Sequence, residues 1–296
     1  MSRFLGVDIG GTASRFVLVD DAGAVLLRGA VGGATGHVFN PVERQKLQAV
    51  LEAIAADIAP HGTLSRVHLG ITGLGELASA EAADLAATLL GISADAVSLS
   101  GDMELAYRAA FAPGEGHLIS AGTGSIGMHI TPAGDIIRVG GRGILIDDGG
   151  SGTWIALTAL DRLYRQIDET GAPTGMEILA EELFTAMGGS DWSATRSYVY
   201  GSDRGRVGTL ATAVARAADR GDVSAGEILR QAGRELARLA QALIARTQKL
   251  PVGYVGGILR LHPFIIASLI ETLADVTVVF PQLDAAEFAA TMARSA

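Results

Sequence analysis

One pattern occurs twice in this chain: a short strand, a glycine turn, a second strand, an Asp-Gly turn and a third strand. The first copy spans residues 4–27 and the second spans residues 116–139, about 110 residues further on. In both copies apolar residues alternate around the glycine turn, which is typical of strands joined as hairpins. A repeat of this length indicates a duplicated domain.

The remaining sequence predicts how each copy is completed. Apolar residues at helical spacing predict a helix over residues 41–59, after which strand and helix alternate, an order that favours a mixed sheet with helices on its faces. A chain of 296 residues is long enough for two domains, each with its own core. We predict an N-terminal domain of residues 1–112 and a C-terminal domain of residues 113–296 with helical insertions. The final helix can still return to the first domain.

Composition excludes several classes of function. Hydrophobic residues make up 49% of the chain, as in globular proteins, and 23 basic against 32 acidic residues give a net charge of −9. We therefore expect no nucleic-acid partner, and any phosphate must be held locally. The chain has no cysteine, which excludes an iron–sulfur cluster. The N-terminus lacks a leader-like apolar segment and no run is long enough to span a membrane, so we expect no membrane partner and a cytoplasmic location.

The first glycine turn has the composition of a phosphate-binding loop. Gly10 and Gly11 stand at the hairpin tip, where their backbone N–H groups can approach a phosphate, and Thr12 adds a hydroxyl. Asp8 precedes the turn and is placed to hold Mg²⁺ through water, because this ion keeps most of its waters in proteins. The alternative is a tight turn that binds nothing.

The second glycine turn matches the dinucleotide pattern G-x-G-x-x-G from Gly122 to Gly127. That pattern requires a helix directly after the glycines, whereas the residues after Ser125 alternate as a strand. We therefore interpret the turn as a second phosphate loop, with N–H groups from Gly122 and Gly124 and hydroxyls from Thr123 and Ser125. Two such turns facing each other across a cleft would clamp one nucleotide.

These motifs resemble those of the superfold shared by sugar kinases, actin and chaperone ATPases, and within it the N-acetylglucosamine kinase and BadF-type ATPase branch. The matches are residues 8–12, residues 120–125, and an adenosine motif at residues 254–258 that contains Gly256 and Gly257. The resemblance implies an α/β protein with two duplicated RNase H-like, actin-like ATPase domains and an interdomain cleft. It also implies ATP and Mg²⁺ as cofactors, and it allows a homodimer.

Asp102 is the predicted catalytic base. It follows the strand over residues 97–100, and the kinases that this chain resembles place their catalytic aspartate at this strand end. Phosphoryl transfer needs a group that orients the attacking hydroxyl and accepts its proton. The alternative for Asp102 is a helix N-cap.

The resemblance also implies a sugar site in the glycine-rich segment of residues 140–156. Gly141, Arg142 and Asp148 fall in this segment, and Asp148 aligns with the aspartate that family members use to hold the sugar. Arg142 stands where an aromatic residue is usual, and it either pairs with an acidic substituent of the sugar or forms a salt bridge to Asp147. Asn40 is the candidate for an asparagine that the family carries in an earlier loop. Alternatively, Asp148 and Ser151 merely cap the helix that starts near residue 153.

The resulting hypothesis is an ATP-dependent kinase for an amino sugar of the N-acetylglucosamine or glucosamine class. The alternatives are a nucleotide-binding regulator or sensor, or a non-kinase ATPase of the same superfold. A BadF-type activator that passes electrons to a dehydratase needs cysteines that this chain lacks.

Overall fold

The computed structural model describes residues 2–201 and 204–296, which form two compact units. Unit 1 contains the residues up to Ala112 together with Gln282–Ala296, and unit 2 is Pro113–Pro281. No helix in the described ranges is both long enough and apolar enough to cross a bilayer.

Unit 1 is built on one five-stranded mixed sheet within the described residues. Its strands are β1 (Arg3–Ile9), β2 (Ala13–Asp20), β3 (Val25–Gly32), β4 (Arg66–Ile71) and β5 (Val97–Gly101). They lie in the order β3-β2-β1-β4-β5. The first three strands are antiparallel, whereas β4 runs parallel to β1 and β5 runs parallel to β4. The meander followed by parallel strands confirms the order of elements predicted for this half.

The helices of unit 1 cover both faces of this sheet. The first three are α1 (Pro41–Ile58), α2 (Glu76–Leu90) and α3 (Asp102–Ala110). Leu5, Val7 and Ile9 alternate along β1 and are fully buried in a core that α1 and α2 complete. Residues between them, such as Gly6 and Asp8, therefore face the opposite side of the sheet.

Unit 2 repeats the same sheet. Its strands are β6 (His117–Ala121), β7 (Ser125–Ile130), β8 (Ile136–Gly140), β9 (Val252–Val255) and β10 (Val278–Val279). They lie in the order β10-β9-β6-β7-β8, which is the order of unit 1 when strands are matched along the chain. The duplicated RNase H-like architecture predicted from the sequence is confirmed.

Unit 2 carries most of the helices between its third and fourth strands. The helices are α4 (Gly152–Thr170), α5 (Glu177–Met187), α6 (Trp192–Tyr200), α7 (Arg204–Thr209), α8 (Ala211–Asp219), α9 (Val223–Arg246) and, after β9, α10 (Pro263–Thr272). The apolar stripe of α9 is buried in a core shared with β6, α4 and α10. The helices from α4 to α9 are inserted between β8 and β9.

The last helix, α11 (Ala285–Ser295), lies on the sheet of unit 1. Ala286 and Ala290 pack against β2, and a Cβ on Gly6 would lie only 2.0 Å from the Ala290 nitrogen. Glycine in β1 and alanines in α11 thus permit a close contact between backbones. The predicted domain of residues 113–296 differs from the structure here, because residues 282–296 pack with unit 1.

Candidate active site

The first glycine turn joins β1 to β2 and is held by two backbone hydrogen bonds of Gly10. The Gly10 carbonyl accepts the Ala34 N–H at 3.1 Å, and the Gly10 N–H donates to the Ala13 carbonyl at 3.2 Å. The N–H groups of Gly11 and Thr12, and the Thr12 hydroxyl, have no acceptor in the described part of the chain, and both residues are exposed. The turn therefore presents three donors to solvent in a fixed arrangement.

The second glycine turn, between β6 and β7, is held in the same way. The Gly122 carbonyl accepts the Gly152 N–H at 2.9 Å, and the Thr123 carbonyl accepts the Thr153 hydroxyl at 2.9 Å. Across the described residues, the N–H groups of Thr123 and Gly124 and the Thr123 hydroxyl meet no acceptor. Each turn thus offers two backbone N–H groups and one threonine hydroxyl, a donor set suited to phosphate oxygens.

Neither packing nor backbone strain explains the glycines at two of these positions. A Cβ on Gly11 or on Gly122 would meet no atom within 4 Å, and neither residue has a positive φ. The open space in front of both turns is what the approach of a ligand requires.

Ser125 does not belong to the exposed donor set. It is buried, its hydroxyl donates to the Gly149 carbonyl at 2.8 Å, and its N–H donates to Asp148 Oδ1 at 3.2 Å. The predicted phosphate contact from the Ser125 hydroxyl therefore differs from the structure, which uses this hydroxyl to hold the turn from behind. The reason is strand alternation, because Ser125 is the first residue of β7 and points inward.

Asp148 also lies behind the second turn. Its exposed fraction is 2%, and its backbone has a φ of 71°, which glycine, asparagine and aspartate tolerate better than other residues. The side chain is placed against Gly124 and Ser125 rather than on an open surface. The predicted sugar contact is thus replaced, in this conformation, by support of the turn, and the cap of α4 comes from Ser151.

Arg142 forms the salt bridge to Asp147 that was one of its two predicted alternatives. Its guanidinium donates to Asp147 Oδ2 at 3.0 Å and its N–H donates to Oδ1 at 2.8 Å, while 62% of the side chain stays exposed. Gly141, with a φ of 73°, makes the turn that precedes it. Asn40, in unit 1, is the N-cap of α1 and accepts the Val42 N–H at 2.9 Å.

Asp8 and Asp102 lie at one edge of the unit 1 sheet. Asp8 is next to the end of β1, and Asp102 is the first residue of α3, directly after β5. The N-cap of α3 is Gly101, so Asp102 is not the cap, although its Oδ1 accepts the Met103 N–H at 2.8 Å. Burial raises the pKa of Asp8, the charge of Asp102 raises it further, and Arg15 opposes both effects. The two carboxylates are therefore close enough to repel each other.

The adenosine motif is adjacent to the second glycine turn. Gly256 follows β9 with a φ of 110°, and a Cβ there would lie 2.1 Å from the carbonyl oxygen of Ala121, the residue before Gly122. Gly257, where a Cβ would meet nothing, opens a short 3₁₀ turn. The structure thus brings together two motifs that stand more than a hundred residues apart in the sequence of unit 2.

Comparison with known proteins assigns the family. A model of the BadF/BadG/BcrA/BcrD ATPase family matches residues 5–293. The chain belongs to the BadF/BadG/BcrA/BcrD ATPase family. The N-acetylmuramic acid/N-acetylglucosamine kinase of Clostridium acetobutylicum is 27% identical to it over 164 residues, which are 53% of each protein. The chain thus matches about half the length of this curated relative.

Solved structures show the fold of this BadF-family chain. A Chromobacterium violaceum protein assigned as an N-acetylglucosamine kinase is 25% identical and gives a TM-score of 0.75, with 99% of each chain covered. A ROK family glucokinase from Streptomyces griseus, solved with glucose and AMPPNP, gives a TM-score of 0.61 at 19% identity, with 100% of each chain covered. The predicted actin-like ATPase fold is confirmed.

Asp8 could hold Mg²⁺ as a single carboxylate, together with waters and substrate phosphates. Among the described residues no group of three or more side chains could coordinate a metal ion. Mg²⁺ is commonly held by one or two carboxylates, waters and substrate phosphates, and the half-buried Asp8 beside Asp102 supplies such a carboxylate. A cation there would offset the repulsion that raises the pKa of Asp8.

Sequence reasoning missed two groups that shape the site. Thr153 fixes the second turn through the Thr123 carbonyl, and Asp284, the N-cap of α11, adds to the negative charge around Asp8. No local pattern identifies Thr153. For Asp284 a signal exists, since Gly6 within a strand indicates the close approach of another element.

Proposed function

We propose that this protein is an ATP-dependent kinase of an amino sugar of the N-acetylglucosamine or glucosamine class. The observation that carries the proposal is the matched donor set of the two glycine turns, each with two N–H groups and one threonine hydroxyl that have no acceptor among residues 2–201 and 204–296. Fixed dipoles of this kind bind phosphate without reorganising, which is what phosphoryl transfer asks of a protein.

In this proposal the two glycine turns bind the phosphates of ATP and the adenosine motif binds its nucleoside. Gly11 and Thr12 bind phosphate oxygens in unit 1, and Thr123 and Gly124 bind them in unit 2. The predicted contacts from the N–H groups of Gly10 and Gly122 are not part of this set, because these groups donate to the Ala13 and Gly124 carbonyls and shape the two turns. Gly256 and Gly257 accommodate the adenosine. Mg²⁺, when bound through water at Asp8, supplies positive charge to the phosphates.

Asp102 is the proposed general base. It accepts the proton of the sugar hydroxyl as the hydroxyl oxygen bonds to the γ-phosphorus and the bond from that phosphorus to ADP breaks. A Cβ on Gly101, the residue before Asp102, would meet no atom within 4 Å, so the end of β5 leaves open space beside Asp102 for a substrate.

The sugar class rests on the relatives rather than on the geometry. The curated relative acts on N-acetylmuramic acid and N-acetylglucosamine by its name, and the Chromobacterium protein is assigned to N-acetylglucosamine. Gly141, Arg142, Asp148 and Asn40 are the proposed sugar contacts. Arg142 and Asn40 are exposed, whereas Asp148 would first have to be uncovered.

A nucleotide-binding regulator or a non-kinase ATPase is the second candidate. One observation favours it: Asp148 is buried against the second turn and Arg142 is engaged by Asp147, so two of the four predicted sugar contacts already have protein partners. Such a protein would keep the phosphate turns without acting on a sugar.

The test is ADP release with MgATP, measured over glucosamine, N-acetylglucosamine, N-acetylmuramic acid, N-acetylmannosamine and glucose. We expect turnover that depends on an amino sugar and that is lost in Asp102→Asn, while ATP binding by calorimetry is retained. Asp84→Asn, an equal change on the exposed side of α2, is the control. ATP binding without sugar-dependent turnover would support the regulator or ATPase, and full activity in Asp102→Asn would refute the assignment of the base.

A further inference from the structure

Within the described part of the sheet, the strand that leads to Asp102, β5, has a neighbouring strand on one side only. β5 is an edge strand of the unit 1 sheet and pairs with β4. His68 of β4 reaches across to this strand twice, with Nδ1 2.8 Å from Ser98 Oγ and Nε2 3.0 Å from Ser100 Oγ. The imidazole is 3% exposed and bridges the two serines that share its face of the sheet.

The direction of these hydrogen bonds follows from the acceptors present. The Ser98 hydroxyl donates to the Val67 carbonyl at 3.2 Å, so it accepts from the Nδ1–H of His68. A neutral imidazole has one donor and one acceptor, so Nε2 accepts the hydroxyl proton of Ser100. Burial lowers the pKa of His68 to about 4, which keeps the ring neutral and this order intact near neutral pH.

Gly70, the next residue of β4 on the same face as His68, makes room for the first turns of α3. A Cβ on Gly70 would lie 2.4 Å from Leu105 Cδ2, so the leucine rests in the space that the glycine leaves. Glu104 and Arg108 of α3 are near enough to influence His68. His68 and Gly70 thus fix the two sides of the junction at which Asp102 stands.

We infer that His68 is a positioning residue for Asp102. By anchoring Ser100, it fixes the end of β5 and the first turn of α3, and thereby directs the Asp102 carboxylate. This inference rests on the proposed kinase function. It extends that function, because His68 is buried and touches no substrate, yet determines where the Asp102 carboxylate lies.

The kinetic test compares Ser100→Ala and His68→Gln with Ile54→Val, a buried substitution in α1 on the other face of the sheet. We expect Ser100→Ala and His68→Gln to lower kcat by roughly 10- to 100-fold and to leave KM for ATP and sugar within about 2-fold, as misplacement of a catalytic group does. Ser98→Ala should lower kcat less than Ser100→Ala, because the bond to Ser100 remains. Equal kcat in Ser100→Ala and Ile54→Val would overturn the inference.

A second measurement does not need activity. The Met103 N–H donates to Asp102 Oδ1, so its amide proton shift reports the position of that carboxylate. We expect the Met103 amide resonance to move in Ser100→Ala and to stay in place in Ile54→Val. An unmoved resonance would overturn the positioning role even if the protein proves to be a kinase. A protein without sugar-dependent turnover would refute the proposed function, and this measurement would still decide whether His68 positions Asp102.

Discussion

Acidification should destabilise unit 1 through His68. In the unfolded chain the pKa of this imidazole is 6.5, whereas burial lowers it to about 4 in the folded protein. Between these values the unfolded chain binds a proton that the folded protein excludes, so the free energy of unfolding falls as the pH falls. Above pH 6.5 the contribution of the neutral ring is complete, and it is lost progressively toward pH 4.

The size of this loss follows from the two pKa values. At about 1.4 kcal/mol for each pH unit between them, the contribution of His68 amounts to about 3 kcal/mol. Typical domains have stabilities of about 5–15 kcal/mol, so this one side chain is enough to change the unfolding midpoint visibly.

The assay is urea unfolding of the wild type and His68→Gln, followed by far-UV circular dichroism from pH 7 to pH 4. Both tryptophans, Trp154 and Trp192, lie in unit 2, so their fluorescence reports that unit separately. We expect the difference in unfolding free energy between the two proteins to shrink by about 3 kcal/mol over this range. A pH-independent difference, or an NMR titration of His68 with a midpoint near 6.5, would refute the reasoning.

Four further substitutions test single positions. Asp8→Asn should raise the free energy of unfolding at pH 7, because burial and the charge of Asp102 disfavour the charged carboxylate. It should also lower kcat by at least roughly 100-fold. Thermal melts measure the change in stability and ADP release measures kcat; a variant less stable than the wild type would contradict the first expectation. Gly11→Ala should weaken ATP binding in calorimetry with little change in stability, whereas Gly256→Ala should destabilise the protein by about 3 kcal/mol, because its Cβ would meet the Ala121 carbonyl at a positive φ. Arg142→Ala should change stability by less than about 1 kcal/mol in urea unfolding, since it removes an exposed ion pair with Asp147.

The strands of the two meanders and the two glycine turns could be predicted from the sequence because their signals are local. Alternating apolar residues mark the strands, and a glycine pair between two such runs marks a hairpin tip. The duplication then places the second copy without further information. The structure adds that, within the part of the chain it describes, both turns keep N–H groups without an acceptor. This depends on hydrogen bonds from Ala34 and Gly152 that no local pattern reveals.

The remaining features depend on contacts between distant segments. Thr123 and Ser125 have similar side chains two positions apart in one motif. The threonine lies exposed in the turn, whereas the serine begins β7 and is buried against the Gly149 carbonyl, which is distant in sequence. The bridge from His68 to Ser98 and Ser100 depends on the register of β4 and β5. Such registers follow from the packing of the whole sheet, so the chemistry of these residues becomes visible only in the folded structure.

The electrostatics of unit 1 determine how its first glycine turn would bind phosphate in the proposed function. The chain carries a net charge of −9, and Asp8, Asp102 and Asp284 concentrate negative charge beside the first turn. A polyphosphate that approaches this edge is repelled by the carboxylates and attracted by fixed backbone dipoles, by hydroxyls and by Arg15, whose charge opposes that of the carboxylates. Binding through these donors alone is therefore weak, and a divalent cation beside Asp8 would offset the repulsion. ATP affinity should accordingly depend on Mg²⁺ more steeply than in a site lined by several lysines or arginines. Burial is the main cause of the raised pKa of Asp8, and the charge of Asp102, which the cation would balance, raises it further.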